Sequence, residues 1–224
     1  MKELIELKEV IEFKEDLKNF IYDFEICTDN IGSVLEAHKQ DFILRPIEVF
    51  IGHYVSLAYA HCSINTFKIF HPKEKRGFQK LFNKFKNFRY NSELLQMLDI
   101  KDEEMDSNRF TSKNDILNSI MEIENNIRDH SDLLDKIHLR RLRFYAHTDP
   151  DSSNIEVETL TDLLSIKELA ITIYNSFFGR LFGSHFMFNH NLASIESVLR
   201  DRKMVDDCYK EMEKLIEQNN NYIK

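Results

Sequence analysis

Apolar residues recur at intervals of three and four along most of the chain, the spacing that places them on one face of a helix. From Glu3 to Lys39, positions such as Leu17, Phe20, Ile21 and Phe24 predict one long helix or two abutting ones, with a break near Asp29 to Gly32. Pro46 suits the first turn of a second helix that runs to about Phe70, and Pro72 forces its end. A third, shorter helix gathers Phe78, Leu81, Phe82, Phe85 and Phe88 on one face and sends Lys80, Lys84 and Lys86 elsewhere. Asn91 to Arg109 is polar and acidic and reads as a connection holding at most a short helix from Ser92 to Leu98. Ser112 with Asp115 resembles a capping box, and Ile116, Ile120, Ile123, Ile127, Leu134 and Ile137 then form a heptad-like seam. His130 fills the missing seam position and reads as a hydrogen-bonded core or interface histidine. After a polar loop from Asp151 to Glu158, Thr159 with Asp162 opens another capped helix through Leu164, Leu169, Ile173 and Phe177. A last charged helix, roughly Ile195 to Gln218 within a surface segment of about 192–220, frays into Asn219 to Asn221.

These elements predict an all-α protein, and composition narrows the picture further. With 5 Gly and 3 Pro in 224 residues there is little turn chemistry for a many-stranded sheet, and the length suits one helical domain over 1–224. Cys27, Cys62 and Cys208 are odd in number and lack C-x-x-C spacing, so no disulfide framework or thiolate zinc site is expected, and a reducing cytoplasm fits. The N-terminus alternates charged and apolar residues, unlike a signal peptide, and the most apolar stretch, Phe42 to Ala60, carries Arg45, Pro46, Glu48 and His53. Stable membrane insertion is therefore not expected. The net charge of −8 argues against a general nucleic-acid coat, yet its distribution is uneven. Phe67 to Tyr90 holds eight Lys or Arg against one Glu, and Lys136 to His147 holds four against none. Such zones are ordinarily solvated helix faces, and a Phe stripe such as Phe78 to Phe88 is ordinarily core.

The segment from His138 to Pro150 carries the candidate chemistry. Extending the seam from Ile137 in steps of four and three calls for apolar residues at 141 and 144, but the chain has Arg141 and then Phe144. A guanidinium on a buried side needs a carboxylate, a phosphate or solvent. Arg140 and Arg143 fall off the seam and read as solvated. His147 follows Arg141 by six residues, about 240° around an ideal helix, so the two do not meet on a straight one. Either the helix ends before Pro150, or the site is pooled from two copies across a symmetric interface. Arg and His together suit metal-independent cleavage of RNA, in which imidazole moves protons at a ribose 2′-hydroxyl or a leaving oxygen while Arg holds the phosphate. No H-E-x-x-H, phosphate-binding glycine loop or G-x-S-x-G elbow occurs, so neither metal nor other cofactor is implied.

An Arg, five residues and then Ala-His-x-Asp at the end of a long helix, followed by a polar loop and a helix beginning Leu-Thr-Asp-Leu, resembles the HEPN superfamily. More narrowly the chain resembles its abortive-infection protein U branch. Ile64 to Phe70 with Phe78 to Leu81, and Ile173 to Phe178, are similar to the blocks flanking the motif, so the likeness spans about 17–184. The resemblance implies a bundle of long antiparallel helices with a peripheral C-terminal helix. It makes Arg141 and His147 the catalytic pair and Asp149 the trailing acid, with Arg140, Arg143 and Tyr145 as supporting or RNA-binding residues. The residue after the motif arginine is usually Asn, Asp or His, and here it is Leu142, which removes a polar helper. Active members of the superfamily are homodimeric ribonucleases with a composite site, and others are binding or assembly modules.

Three readings follow. The first is a homodimeric endoribonuclease of phage defence or a toxin–antitoxin pair, with an antitoxin or regulatory partner. The second, favoured by Leu142, is a non-catalytic helical dimer that binds RNA, a nucleotide or a partner protein. The third is a peripheral membrane or partner-binding protein that uses the helix from Phe78 to Phe88.

Overall fold

A computed structural model describes residues 3–39, 48–99, 109–145, 156, 158–188, 203–205 and 207–216. The fold is all-α, as the periodicity predicts. Its helices are α1 (Leu7–Lys39), α2 (Glu48–Phe70), α3 (Phe78–Asn87), α4 (Ser92–Leu98), α5 (Lys113–Asp129), α6 (Ser131–Arg140), α7 (Leu160–Tyr174) and the single turn α8 (Arg180–Phe182). Residues 203–205 and 207–216 are helical as well. Two π-helical turns, Arg141–Tyr145 and Asn175–Gly179, continue α6 and α7. No described helix is long and apolar enough to cross a membrane.

The chain divides into two compact units, residues 1–25 with 60–189 and residues 26–59 with 190–224. The larger unit is built on aromatic packing. The face of α3 predicted from its periodicity is buried at Phe78, Leu81, Phe82 and Phe85, so this stripe is core rather than a membrane-seeking surface. Phe177 sits edge-on to Phe82 and Phe85 at 5.2 and 5.3 Å, and Phe110 lies 5.8 Å from it. Such ring pairs add to the stabilisation their buried area already provides. Gly77 caps α3 where the chain presses on the end of α2, and a Cβ there would meet the carbonyl oxygens of Lys68 and Ile69 at 2.7 and 2.9 Å. In the smaller unit Ile31, Val34, Ile51 and Ala58 are buried, and Asn30 donates to the Tyr54 hydroxyl at 2.8 Å.

Four local expectations change. Leu4 and Ile5 are not helical but form a two-residue parallel strand, β1 (Leu4–Ile5), against β2 (Arg89–Tyr90). Of the two alternatives for the N-terminal segment, α1 takes the single long helix and does not break near Asp29 to Gly32, because buried Thr28, Asn30, Ile31 and Val34 carry its packed stripe straight through the low-propensity glycine. The seam runs over two helices: α5 closes at Asp129, and His130 Nδ1 lies 2.9 Å from the Asn126 carbonyl at the joint before α6. Ser112 caps α5 by accepting from the Asp115 amide, but the Asp115 carboxylate turns to the Thr111 amide and hydroxyl, so the box is one-sided. At Thr159 and Asp162 the box is reciprocal, as expected.

Candidate functional site

Ile137 on α6 is fully buried, in register with the seam isoleucines of α5. Beyond it the periodicity slips by one residue. Arg140, expected in solvent, is only 7% exposed and its Nε lies 3.8 Å from Glu158, a carboxylate with no exposed surface. Glu158 also accepts from the Ser63 hydroxyl of α2 at 3.1 Å. The buried pair explains the correction: a step of three from Ile137 meets an internal carboxylate, and the helix widens into its π turn immediately afterwards. Turns of this kind are frequent at functional sites.

Arg141 opens that turn half-buried, and its guanidinium carbon lies 4.0 Å from the centre of the Phe67 ring. Cation and ring attract at this separation, which holds the planar fork in one orientation. Arg141 Nε is buried and has no hydrogen-bond partner among the described residues. The charge thus has the ring and partial solvent access, and a buried Nε donor that no described residue takes up.

Two histidines that the sequence reading gave no role complete this cluster. His71, one turn beyond Phe67 at the end of α2, stacks on it at 4.1 Å with 19° between the planes. His138, one turn before Arg141 on α6, lies 5.1 Å from Phe67 and 4.9 Å from His71. Burial holds both imidazoles below the usual histidine range. Neighbouring cationic groups add to the effect: His138, Lys73 and Arg141 lower His71 further, and Arg141 and Lys73 lower His138. Glu74 beside His71 and Asp135 beside His138 oppose the shift without cancelling it. Both rings are therefore neutral at pH 7. The Lys73 amide donates to His71 Nδ1 at 3.2 Å, which leaves the ring proton on Nε2. The signals in the sequence are the four-residue step from Phe67 to His71 and the three-residue step from His138 to Arg141, each of which shares a helix face.

Phe67, His71 and His138 line a cavity of about 600 Å³ together with Ile127 and Leu134. Gln79, Ser131 and Asp135 bring polar groups to it. Of the residues expected at the site from sequence, Arg141 belongs to this cluster, Arg140 is buried beside Glu158 and Arg143 is exposed. Tyr145 lies in the π turn, and the placement of its side chain is outside what is described. His147 and Asp149 lie outside the described residues. Leu142, at the position where the motif usually has a polar residue, is 39% exposed. The basic zone from Phe67 to Tyr90 is partly neutralised: Arg76 pairs with Glu12 and Asp16, Lys84 with Glu9 and Lys86 with Glu124. Lys73, Lys75, Lys80 and Arg89 are exposed.

No family model matches the chain, and the comparisons with curated proteins and with solved structures also find no match.

Proposed function

We propose that this chain is a metal-independent endoribonuclease of the HEPN type, acting in bacterial phage defence or as the toxin of a toxin–antitoxin pair. The observation that carries the reading is Arg141: a cation fixed on Phe67 with a buried Nε that no described residue hydrogen-bonds, beside imidazoles that are neutral at physiological pH. A neutral imidazole takes the proton of a ribose 2′-hydroxyl as O2′ bonds to phosphorus. The P–O5′ bond breaks, an acid returns a proton to O5′, and Arg141 holds the charge that builds on the phosphate oxygens. The products are a 2′,3′-cyclic phosphate and a 5′-hydroxyl. In the motif resemblance His147 is the proton-carrying residue, and two copies of the chain pool Arg141 and His147 in one cleft.

The test is incubation of the full chain with total RNA in excess EDTA, beside His147→Ala and Arg141→Ala. Cleavage by the wild type alone, with cyclic-phosphate ends, is the expected outcome. Undiminished cleavage by His147→Ala would remove the motif histidine from the mechanism. A second reading, a non-catalytic dimer that binds RNA, a nucleotide or a protein, is favoured by the exposed aliphatic Leu142 at the helper position. Failure of the folded wild type to cleave any RNA class, together with RNA or nucleotide binding that Arg141→Ala weakens, would favour that reading instead.

A further inference from the structure

We propose that the cavity beside Arg141 is a nucleobase subsite selective for guanine, with the nucleotide's phosphate against Arg141. This rests on the assignment of Arg141 as the phosphate-holding residue. The cavity, about 600 Å³, falls in the range of sites that enclose a small ligand and exceeds what a purine ring alone needs. Its lining includes the rings of Phe67, His71 and His138, which stack on one another, and the branched side chains of Ile127 and Leu134. A lining of rings and aliphatic groups suits a planar heterocycle, which packs against either kind of surface. Arg128 brings a cation to the lining itself, and Arg141 stands beside that lining. Arg141 lies over the Phe67 ring, and its charge and that of Lys73 are felt by the His138 ring.

Discrimination between bases then falls to the polar groups. Asp135, one turn before His138, lines the cavity, and its carboxylate is near enough to that ring to favour its protonation. Guanine alone among the bases offers two adjacent donors, N1–H and the N2 amino group, which a carboxylate accepts as a pair. Adenine offers one amino group, and uracil sets a carbonyl on each side of its single donor. The Gln79 amide and the Ser131 hydroxyl, which both donate and accept, can serve the remaining acceptors of the ring.

Titration calorimetry of the full chain with 5′-GMP, 5′-AMP, 5′-UMP and inorganic phosphate tests the proposal. GMP is expected to bind at least tenfold more tightly than UMP or phosphate. Asp135→Asn changes an exposed side chain, so the fold is expected to survive, and GMP affinity should fall about tenfold while AMP affinity holds. Phosphate binding as tight as GMP binding would reduce the site to an anion site and overturn the proposal. So would the absence of binding by every nucleotide, or GMP affinity unchanged in Asp135→Asn. RNA cleavage in EDTA by a protein that binds none of the nucleotides would remove the subsite and leave the ribonuclease reading standing. GMP binding that depends on Asp135, without RNA cleavage, would keep the subsite and make the chain a nucleotide-binding module.

Discussion

At the scale of single residues, the histidine pair ties the site to stability. His71 and His138 hold fewer protons when folded than an ordinary histidine, whose affinity is centred near pH 6.5. The unfolded chain therefore binds more protons just below that pH, and stability rises with pH through this window. Above about pH 6.5 both states are neutral at these rings and the full stability is present; it is lost as the pH falls from about 6.5 through the lower folded-state values. Scanning calorimetry of the wild type should show a melting temperature that drops between about pH 6.5 and 5. In His71→Gln/His138→Gln that drop should flatten, while the losses from carboxylates such as Asp115 and Asp162, held below their usual range, persist at lower pH. An equal slope in the variant would show that the rings titrate normally. Arg141 draws notice in the sequence because it stands where an unbroken seam calls for an apolar residue, although the slip after Ile137 gives the buried position to Arg140. The histidine pair does not, since His71 and His138 meet only when the end of α2 reaches α6, and no local pattern encodes that approach.

At the scale of elements, strong local chemistry sets the boundaries and long-range contacts set the exceptions. The start of α7 is local: Thr159 accepts from the Asp162 amide at 3.1 Å, and the Asp162 carboxylate accepts from the Thr159 amide at 2.8 Å. Lys136 of α6 adds a hydrogen bond to the same carboxylate at 3.0 Å. Loss of a cap hydroxyl costs about 1 kcal/mol, so Thr159→Ala should shift the urea midpoint down by that equivalent, with Thr159→Ser close to wild type. No shift in the alanine variant would show that α7 is held by packing alone. Pro72, the α3 stripe and this cap were all readable from short windows. The joint at His130 and the slip at Arg140 were not: the first lacks the glycine or proline that marks a helix end, and the second depends on Glu158, which belongs to the segment before α7. Strand β1 escapes notice for the same reason, because two residues become a strand only through pairing with Arg89 and Tyr90.

At the scale of the whole molecule, the proposed composite site requires two copies, and the seam cannot supply their interface. Ile116 and Ile120 are fully buried, and Ile123 and Ile127 are 6% and 8% exposed, so that stripe is already core within one chain. Among the described residues, one uncovered apolar stripe lies on the C-terminal helical residues 207–216 and the turn before them. Val205, Tyr209, Met212 and Ile216 are 43%, 60%, 56% and 55% exposed, and they are spaced by four, three and four. That is the a/d spacing of a coiled-coil seam, and helices this short are marginal in water without a partner to cover them. A second copy of the same helix, related by a two-fold axis, offers the matching stripe. Sedimentation equilibrium should accordingly find a dimer, and Tyr209→Lys/Met212→Lys should yield a folded monomer, because both side chains are exposed and contribute no core. If the cleft is pooled from two chains, that monomer should also lose RNA cleavage while its Arg141 cluster stays intact. A monomeric wild type would leave Arg141 to work with imidazoles of its own chain, and a dimer untouched by the substitutions would place the two-fold contact on another face.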